Sequence, residues 1–351
     1  MSKSILDVTI IGGGPAGLFA AFYSGLRELS TKIIEFQPFL GGKVHVYPEK
    51  MIWDVGGLTP VPGEQLIEQL VAQGKTFDPE VVLGEKVTAI TKDDNGIFVL
   101  ETASAQKHYS RTVILATGYG ILKPTKLTID GAERFEVTNL HYTIKSLARF
   151  RGKTVLISGG GNAAIDWANE LEPIAKQVYL TYRKPKEEMK GHEADITKLY
   201  NSSVECLFST TIEKLVAAAD HESIEKVVLN QVEDNREIVL EVDEVIINHG
   251  YDRERELIEN SRLSIKMENE YNVAGSAMSE TSVPGLYAAG DILHHDGKLH
   301  LIAGAFQDAA NAVNKAKQFI TPDAYGHGMV SSHNELFAQK NREIMKHLYT
   351  K

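Results

Sequence analysis

The chain has 351 residues, 43% hydrophobic and 24% charged, which is ordinary globular composition with length enough for two compact cores. A formal net charge of −10 argues against non-specific nucleic-acid binding, and no run approaches the roughly 20 apolar residues that span a bilayer. Cys206 is the single cysteine, which excludes an intrachain disulfide, a CxxC redox pair and a cysteine zinc site and fits a cytoplasmic setting.

Residues 5–11 form a β-branched run, broken by Asp7, that flows into a glycine loop; this reads as a first strand rather than a signal peptide. Gly12, Gly14 and Gly17 follow, then a helical pattern over residues 18–29. Gly12 permits the tight turn, Gly14 lets a pyrophosphate approach the backbone, and Gly17 lets the helix pack on the strand. The helix N-terminus offers free N–H groups and a positive dipole end. Residues 31–35 read as a second strand whose last residue, Glu35, lies near the expected interval for a carboxylate that accepts ribose hydroxyls. Residues 81–90 and 97–101 read as strands around the turn 93–96. Residues 111–118 read as a buried strand returning to the first site, and residues 120–131 as a connector.

A second fingerprint occupies residues 153–164, with Gly159, Gly161, Asn162 and Ala164 in the loop and a helix opening at 165–171. The strand that follows, residues 177–184, ends without a carboxylate and carries Thr181, Tyr182, Arg183 and Lys184 instead. An acid there would repel a 2′-phosphate, whereas a guanidinium and an ammonium attract one. The site therefore reads as NADP(H), with Arg183 and Lys184 on the phosphate and Lys190 as a third contact. A solvated basic turn that also holds Glu187 and Glu188 is the plainer alternative. Short strands follow at 224–231, 238–242 and 245–248, and Cys206, beside Val204, Leu207 and Phe208, reads as a buried strand residue. Residues 283–291 repeat the strand-then-glycine pattern and end in Asp291. That carboxylate can accept a hydrogen bond from a flavin ribityl hydroxyl or cap the following helix, expected over 301–319.

Residues 12–17, Leu40-Gly-Gly-Lys43, Tyr47-Pro-Glu-Lys-Met-Ile-Trp-Asp-Val-Gly-Gly57, Asn139-Leu-His-Tyr142, 159–167 and 288–292 together resemble the ferredoxin (or flavodoxin)–NADP reductases of the thioredoxin-reductase-like type, over nearly the whole length. The expected fold is α/β, with two Rossmann-like three-layer nucleotide-binding domains. An FAD-binding domain, residues 1–118 and 280–351, carries an NADP(H)-binding domain, residues 119–279, as an insertion. By resemblance, FAD contacts fall on Glu35, Lys43, Tyr47, Val87, Leu122, Asp291 and Ser332, with Tyr47 stacked on one isoalloxazine face. Many relatives place a histidine over the other face; here the matching register is residues 330–333, so Val330 replaces that ring. His327 and His333 are weak alternatives. The family also implies a homodimer.

Thioredoxin reductases place a CxxC just before the second fingerprint, where residues 141–146 here hold no sulfur. Bacillithiol-type disulfide reductases carry a cysteine in the first glycine loop, where Ala16 stands. A dithiol relay is excluded, since disulfide exchange needs a thiolate. The expected enzyme is a ferredoxin–NADP(+) reductase, moving electrons between NADPH and a ferredoxin or flavodoxin by hydride transfer to the flavin and one-electron exit from it. No protein acid or base is obligatory. Alternatives are a reductase or oxidase of free flavin, quinone, iron chelates or oxygen, and a non-catalytic FAD/NADPH redox sensor. His294, His295, Asp296 and His300 cluster in sequence, but loop histidines beside a flavin motif have other uses, and no metal is expected. Lys315, Lys317, Lys340, Arg342, Lys346 and Lys351 make a mildly basic tail, a candidate dock for an acidic carrier.

Overall fold

The strand Ile5–Ile11 is buried from Val8 to Ile11, with Val8, Thr9 and Ile10 fully inaccessible, as a central strand of a parallel sheet must be. In this computed structural model, which describes residues 4–121, 123–252, 254–328 and 330–349, it lies between Thr31–Glu35 and Lys107–Leu115, parallel to both. Glu80–Leu83 extends the sheet beyond Thr31–Glu35. On the other side Phe98–Thr102 and Val87–Lys92 add antiparallel to Lys107–Leu115, and Leu286–Ala288 pairs parallel with it. The strand expected over 81–90 is two strands, because Gly84 (φ +70°) and Glu85 leave the ladder and donate to the Gln37 and Glu35 carbonyls.

Helices Pro15–Leu26 and Ile302–Ile320 cover one face of this sheet. Small residues on both (Ala20, Ala21, Ala309, Ala312, Ala316) let them sit close beneath Val8, Ile10 and Ile114. Helix Gly63–Gly74 adds Leu66 and Leu70 to the same core.

The chain divides into two compact units, Met1–Ile121 with Arg253–Lys351, and Leu122–Asp252. The return to the first unit comes at 253, not near 280, and the departure from it at 121 rather than 118. Leu257, Ile258, Leu263 and Ile265 pack on the apolar cluster that contains Ile90 and Phe98, and the Ile90 N–H donates to Ser261 Oγ at 3.0 Å.

The second unit is built on a parallel sheet in the spatial order Leu140–His141, Glu244–Ile247, Thr154–Ser158, Gln177–Tyr182, Glu205–Phe208. Helices Asn162–Leu171 and Glu193–Tyr200 pack on it through Ile165, Leu171 and Leu199. An antiparallel meander, Thr210–Ala217, Ile224–Gln231 and Arg236–Glu241, supplies Leu215, Val227 and Leu229 to a core with Leu156 and Val245. Helix, parallel sheet and meander make its three layers. Among the described residues no helix is long and apolar enough to cross a membrane.

Glu244, whose side chain is 1% exposed, opens the second strand of that sheet and holds His141 of the edge strand. It accepts hydrogen bonds from His141 Nε2 at 2.6 Å, from Arg149 Nε at 3.1 Å and from the Lys153 ammonium. Burial works against its charge, but the bonds from His141, Lys153 and Arg149 outweigh it and hold the carboxyl below its ordinary 4.5. A carboxylate with a depressed folded-state pKa contributes its stability above the unfolded value and loses it as pH falls through the folded one. Melting temperature followed against pH should therefore drop below about pH 4.5, and Glu244→Gln should lower stability at neutral pH while flattening that acid limb. An acid limb identical in both proteins contradicts this role for Glu244.

Candidate dinucleotide-binding sites

In the first glycine loop, two glycines are demanded by packing. Gly12 has φ +107°, and a Cβ there would lie 2.4 Å from the Ala116 carbonyl oxygen; one on Gly17 would lie 1.9 Å from that of Gly12. Gly14 differs: with φ −78° it caps helix Pro15–Leu26, and the nearest atom to a Cβ on it is Gly42 Cα at 3.7 Å. No side chain caps this helix, so the first N–H groups stay free for an anion. Glu35, buried at the end of its strand, accepts the Gly13 N–H at 2.6 Å and the Gln37 N–H at 2.7 Å. Each carboxylate oxygen keeps a lone pair after that bond, so ribose hydroxyls still find acceptors.

The Leu40–Lys43 stretch is laid over this loop, with the Gly41 N–H donating to Gly13 O at 2.9 Å. A Cβ on Gly42 would lie 2.7 Å from Gly14 Cα, and only glycine fits there. Lys43 is exposed, its ammonium 4.7 Å from the centre of the Tyr119 ring. Half-buried Tyr47 has its phenol pushed up to about 12, by burial first and then by the charges of Asp291 and Asp54, so it stays a neutral donor. Asp291 sits in the short turn Gly290–Ile292 and does not cap the long helix, which begins at Ile302 with Leu301 as its cap. Gly290 (φ +76°) brings that turn against the start of the first helix, where a Cβ would lie 3.0 Å from that of Ala16. Loop, Glu35, Lys43, Tyr47 and Asp291 thus converge.

Four further candidates fare differently. The Val87 side chain is buried in the sheet core, and Leu122 lies outside the described residues. Val330 is 60% exposed, and Ser332, in the short turn Ser331–His333, is exposed as well. Their segment is fastened at the opposite end of helix Pro15–Leu26. There the Gly328 N–H donates to Tyr23 Oη at 3.1 Å, Arg27 donates to the Tyr325 carbonyl at 2.7 Å, and Phe337 packs on Phe77.

The second loop repeats the first with different walls. A Cβ on Gly159 would meet Asn248 O at 2.5 Å and one on Gly160 the Tyr182 ring, but one on Gly161 finds nothing nearer than Lys190 O at 3.9 Å. Gly161 caps helix Asn162–Leu171 without side-chain help, and Ala164 is fully buried. Asn162 Oδ1 accepts the His192 N–H at 3.0 Å and the Lys190 N–H donates to Gly160 O at 2.9 Å, folding the stretch with Lys190 onto the loop. Arg183 and Lys190 are exposed. The Lys184 ammonium pairs with Glu188, which offsets part of the basic charge, as a solvated turn would.

Two residues at this loop escape a linear reading. Strand order reverses between Thr154–Ser158 and Glu244–Ile247, and ligands bind in the crevice such a switch opens. There the Asn248 N–H donates to Ser158 O at 2.8 Å, Asn248 Oδ1 is buried without a hydrogen-bond partner among the described residues, and His249 Nε2 lies 2.8 Å from Ser158 Oγ. Desolvation and the Arg183 charge push the His249 imidazole below its ordinary value. The signal is spatial: Asn248 and His249 follow the short strand Glu244–Ile247, and only sheet order places them at the crevice. His295 lies 3.5 Å from Asp308, and among the described residues no group of histidines, cysteines and carboxylates could hold a metal.

Residues 6–316 match the family described as pyridine nucleotide-disulphide oxidoreductase. The chain belongs to this family. It is 66% identical over 346 residues to ferredoxin–NADP reductase 1 of Bacillus mycoides (strain KBAB4), covering 99% of both chains. To ferredoxin–NADP reductase 1 of Bacillus cytotoxicus (strain DSM 22905) it is 67% identical over 346 residues, again 99% of both. The resemblance read from the sequence holds. The solved thioredoxin reductase of Lactococcus lactis (FR conformation) shares the fold at TM-score 0.73 and 24% identity, over 90% of this chain and 99% of that one. For a member of a disulphide family this one is short of sulfur: Cys206, on strand Glu205–Phe208, is half-buried, and burial pushes its thiol up, away from the reactive thiolate.

The contrast between glycines gives a test. Gly161→Ala should melt like the parent yet bind 2′,5′-ADP about tenfold more weakly, because its methyl stands where phosphate approaches, whereas Gly159→Ala should lose stability outright. Equal melting points and equal affinities in both variants contradict this assignment.

Proposed function

We propose that the chain is an FAD-dependent oxidoreductase that moves electrons between NADPH and a ferredoxin or flavodoxin, working as a ferredoxin–NADP reductase. What carries the reading is a pair of complete dinucleotide loops in a chain without a dithiol. Its relatives at 60–67% identity bear that name, and small-acceptor or sensor activity has no comparable support. FAD, when bound, takes hydride from a nicotinamide and releases electrons singly, chemistry that belongs to the cofactor.

The protein's part is to hold and orient. In the first unit the uncapped helix N-terminus takes the FAD pyrophosphate, Glu35 the ribose hydroxyls and Asp291 the ribityl chain, while neutral Tyr47 covers one ring face. In the second unit Arg183 and Lys190 take the 2′-phosphate, with Lys184 committed in part to Glu188. Asn248 Oδ1 offers an acceptor to a ligand hydroxyl or amide. A cytoplasmic homodimer is the proposed setting. The carrier docks by charge on the basic tail, where Lys317 and Arg342 make no ion pair among the described residues, whereas Lys315 lies 3.5 Å from Glu280 and Lys340 donates to the Thr76 carbonyl.

Rapid mixing tests this directly. NADPH should bleach the flavin absorbance, oxidised ferredoxin or flavodoxin should restore it, and added salt should slow the second step. Arg183→Ala with Lys190→Ala should raise KM for NADPH by about tenfold or more with little change in kcat or in the NADH rate. A flavin that NADPH bleaches but no carrier reoxidises contradicts the proposal.

A further inference from the structure

We propose that the buried Lys298–Asp308 ion pair positions Asp291, locking the Gly290–Asp291 turn so that its carboxylate is presented to FAD. The inference rests on the flavin reading of the first unit and adds two residues that do not touch the cofactor.

Asp308 lies within helix Ile302–Ile320 and Lys298 in the loop before it, and their side chains are 5% and 4% exposed. Burying two charges is costly, and apolar side chains of similar volume would join a helix to a loop at least as well. The pair therefore calls for a task beyond packing. Its hydrogen bonds show one. Asp308 Oδ2 accepts the Gly290 N–H at 3.0 Å as well as the Lys298 ammonium, and Lys298 also donates to the Gly290 carbonyl at 2.8 Å. Both polar groups of the residue before Asp291 are thus fixed by one ion pair. On the other side, Asn272 Nδ2 donates to the Asp291 carbonyl at 2.7 Å.

The helix carrying Asp308 is itself tied in, since Ser279 Oγ donates to the Asp308 carbonyl at 2.8 Å. Gly297 (φ +80°) turns the loop that delivers Lys298. The Asp291 backbone is pinned on both sides, yet its carboxylate makes no protein hydrogen bond among the described residues and lies close enough to Tyr47 to raise that phenol. An immobilised backbone bearing an uncommitted carboxylate is the geometry of a pre-organised acceptor.

The test is a coupling cycle on FAD affinity, measured by flavin fluorescence on the full-length apoprotein. Lys298→Met should weaken FAD binding by about tenfold in the parent but by less than about twofold in Asp291→Ala, because its effect passes through Asp291. Equal losses in both backgrounds, or no loss in either, overturn the inference and leave the flavin site standing. Should Asp291→Ala itself bind FAD like the parent, the flavin reading at Asp291 falls and the inference with it. If Lys298→Met alone does not fold, the neutral pair Lys298→Met/Asp308→Leu takes its place in both backgrounds, with the same outcomes expected.

Discussion

Backbone N–H groups can grip a pyrophosphate only where no side chain stands between them and the phosphate, and that constraint organises this molecule. It needs a helix that starts where a parallel strand stops, with glycine at the junction. Both units meet it with the same parts. Ile5–Ile11 and Thr154–Ser158 are central strands, Gly14 and Gly161 are bare caps, and neither helix has a side-chain cap to compete with an anion. Around the first loop, one carboxylate does structural and binding duty together: Glu35 ties the loop tip through Gly13 and still has acceptors to spare.

Much of this architecture was legible in the residues, because the periodicity and the glycines state local demands. Thr31–Glu35 and Ile224–Gln231 have the bounds the patterning gives, and the long helix runs Ile302–Ile320 against an expected 301–319. Helix Gly63–Gly74 buries Leu66, Ile67 and Leu70 on one face, a helical spacing that the sequence itself carries.

What was not legible depends on contacts far apart in sequence. Residues 254–279 look like a continuation of the second unit until Leu257 and Ile258 are seen on the core around Phe98. The segment that leads to Ser332 is tied through Gly328 and Tyr325 to Tyr23 and Arg27, hundreds of residues away. The Lys298–Asp308 pair and the orphaned Asn248 oxygen share that character: each is an ordinary residue type whose meaning lies in its partner, or in the lack of one.

The chemistry that remains is set by what the chain lacks. A fold shared with thioredoxin reductases keeps the nucleotide sites, but its single thiol sits half-buried on a strand of the second unit with its pKa raised. Reducing equivalents then have no sulfur stage and pass from flavin to carrier. The steady-state rate of NADPH-driven ferredoxin reduction by Cys206→Ser tests this most directly. The account predicts a rate within about twofold of the parent, and a fall of about a hundredfold with FAD still bound would contradict it.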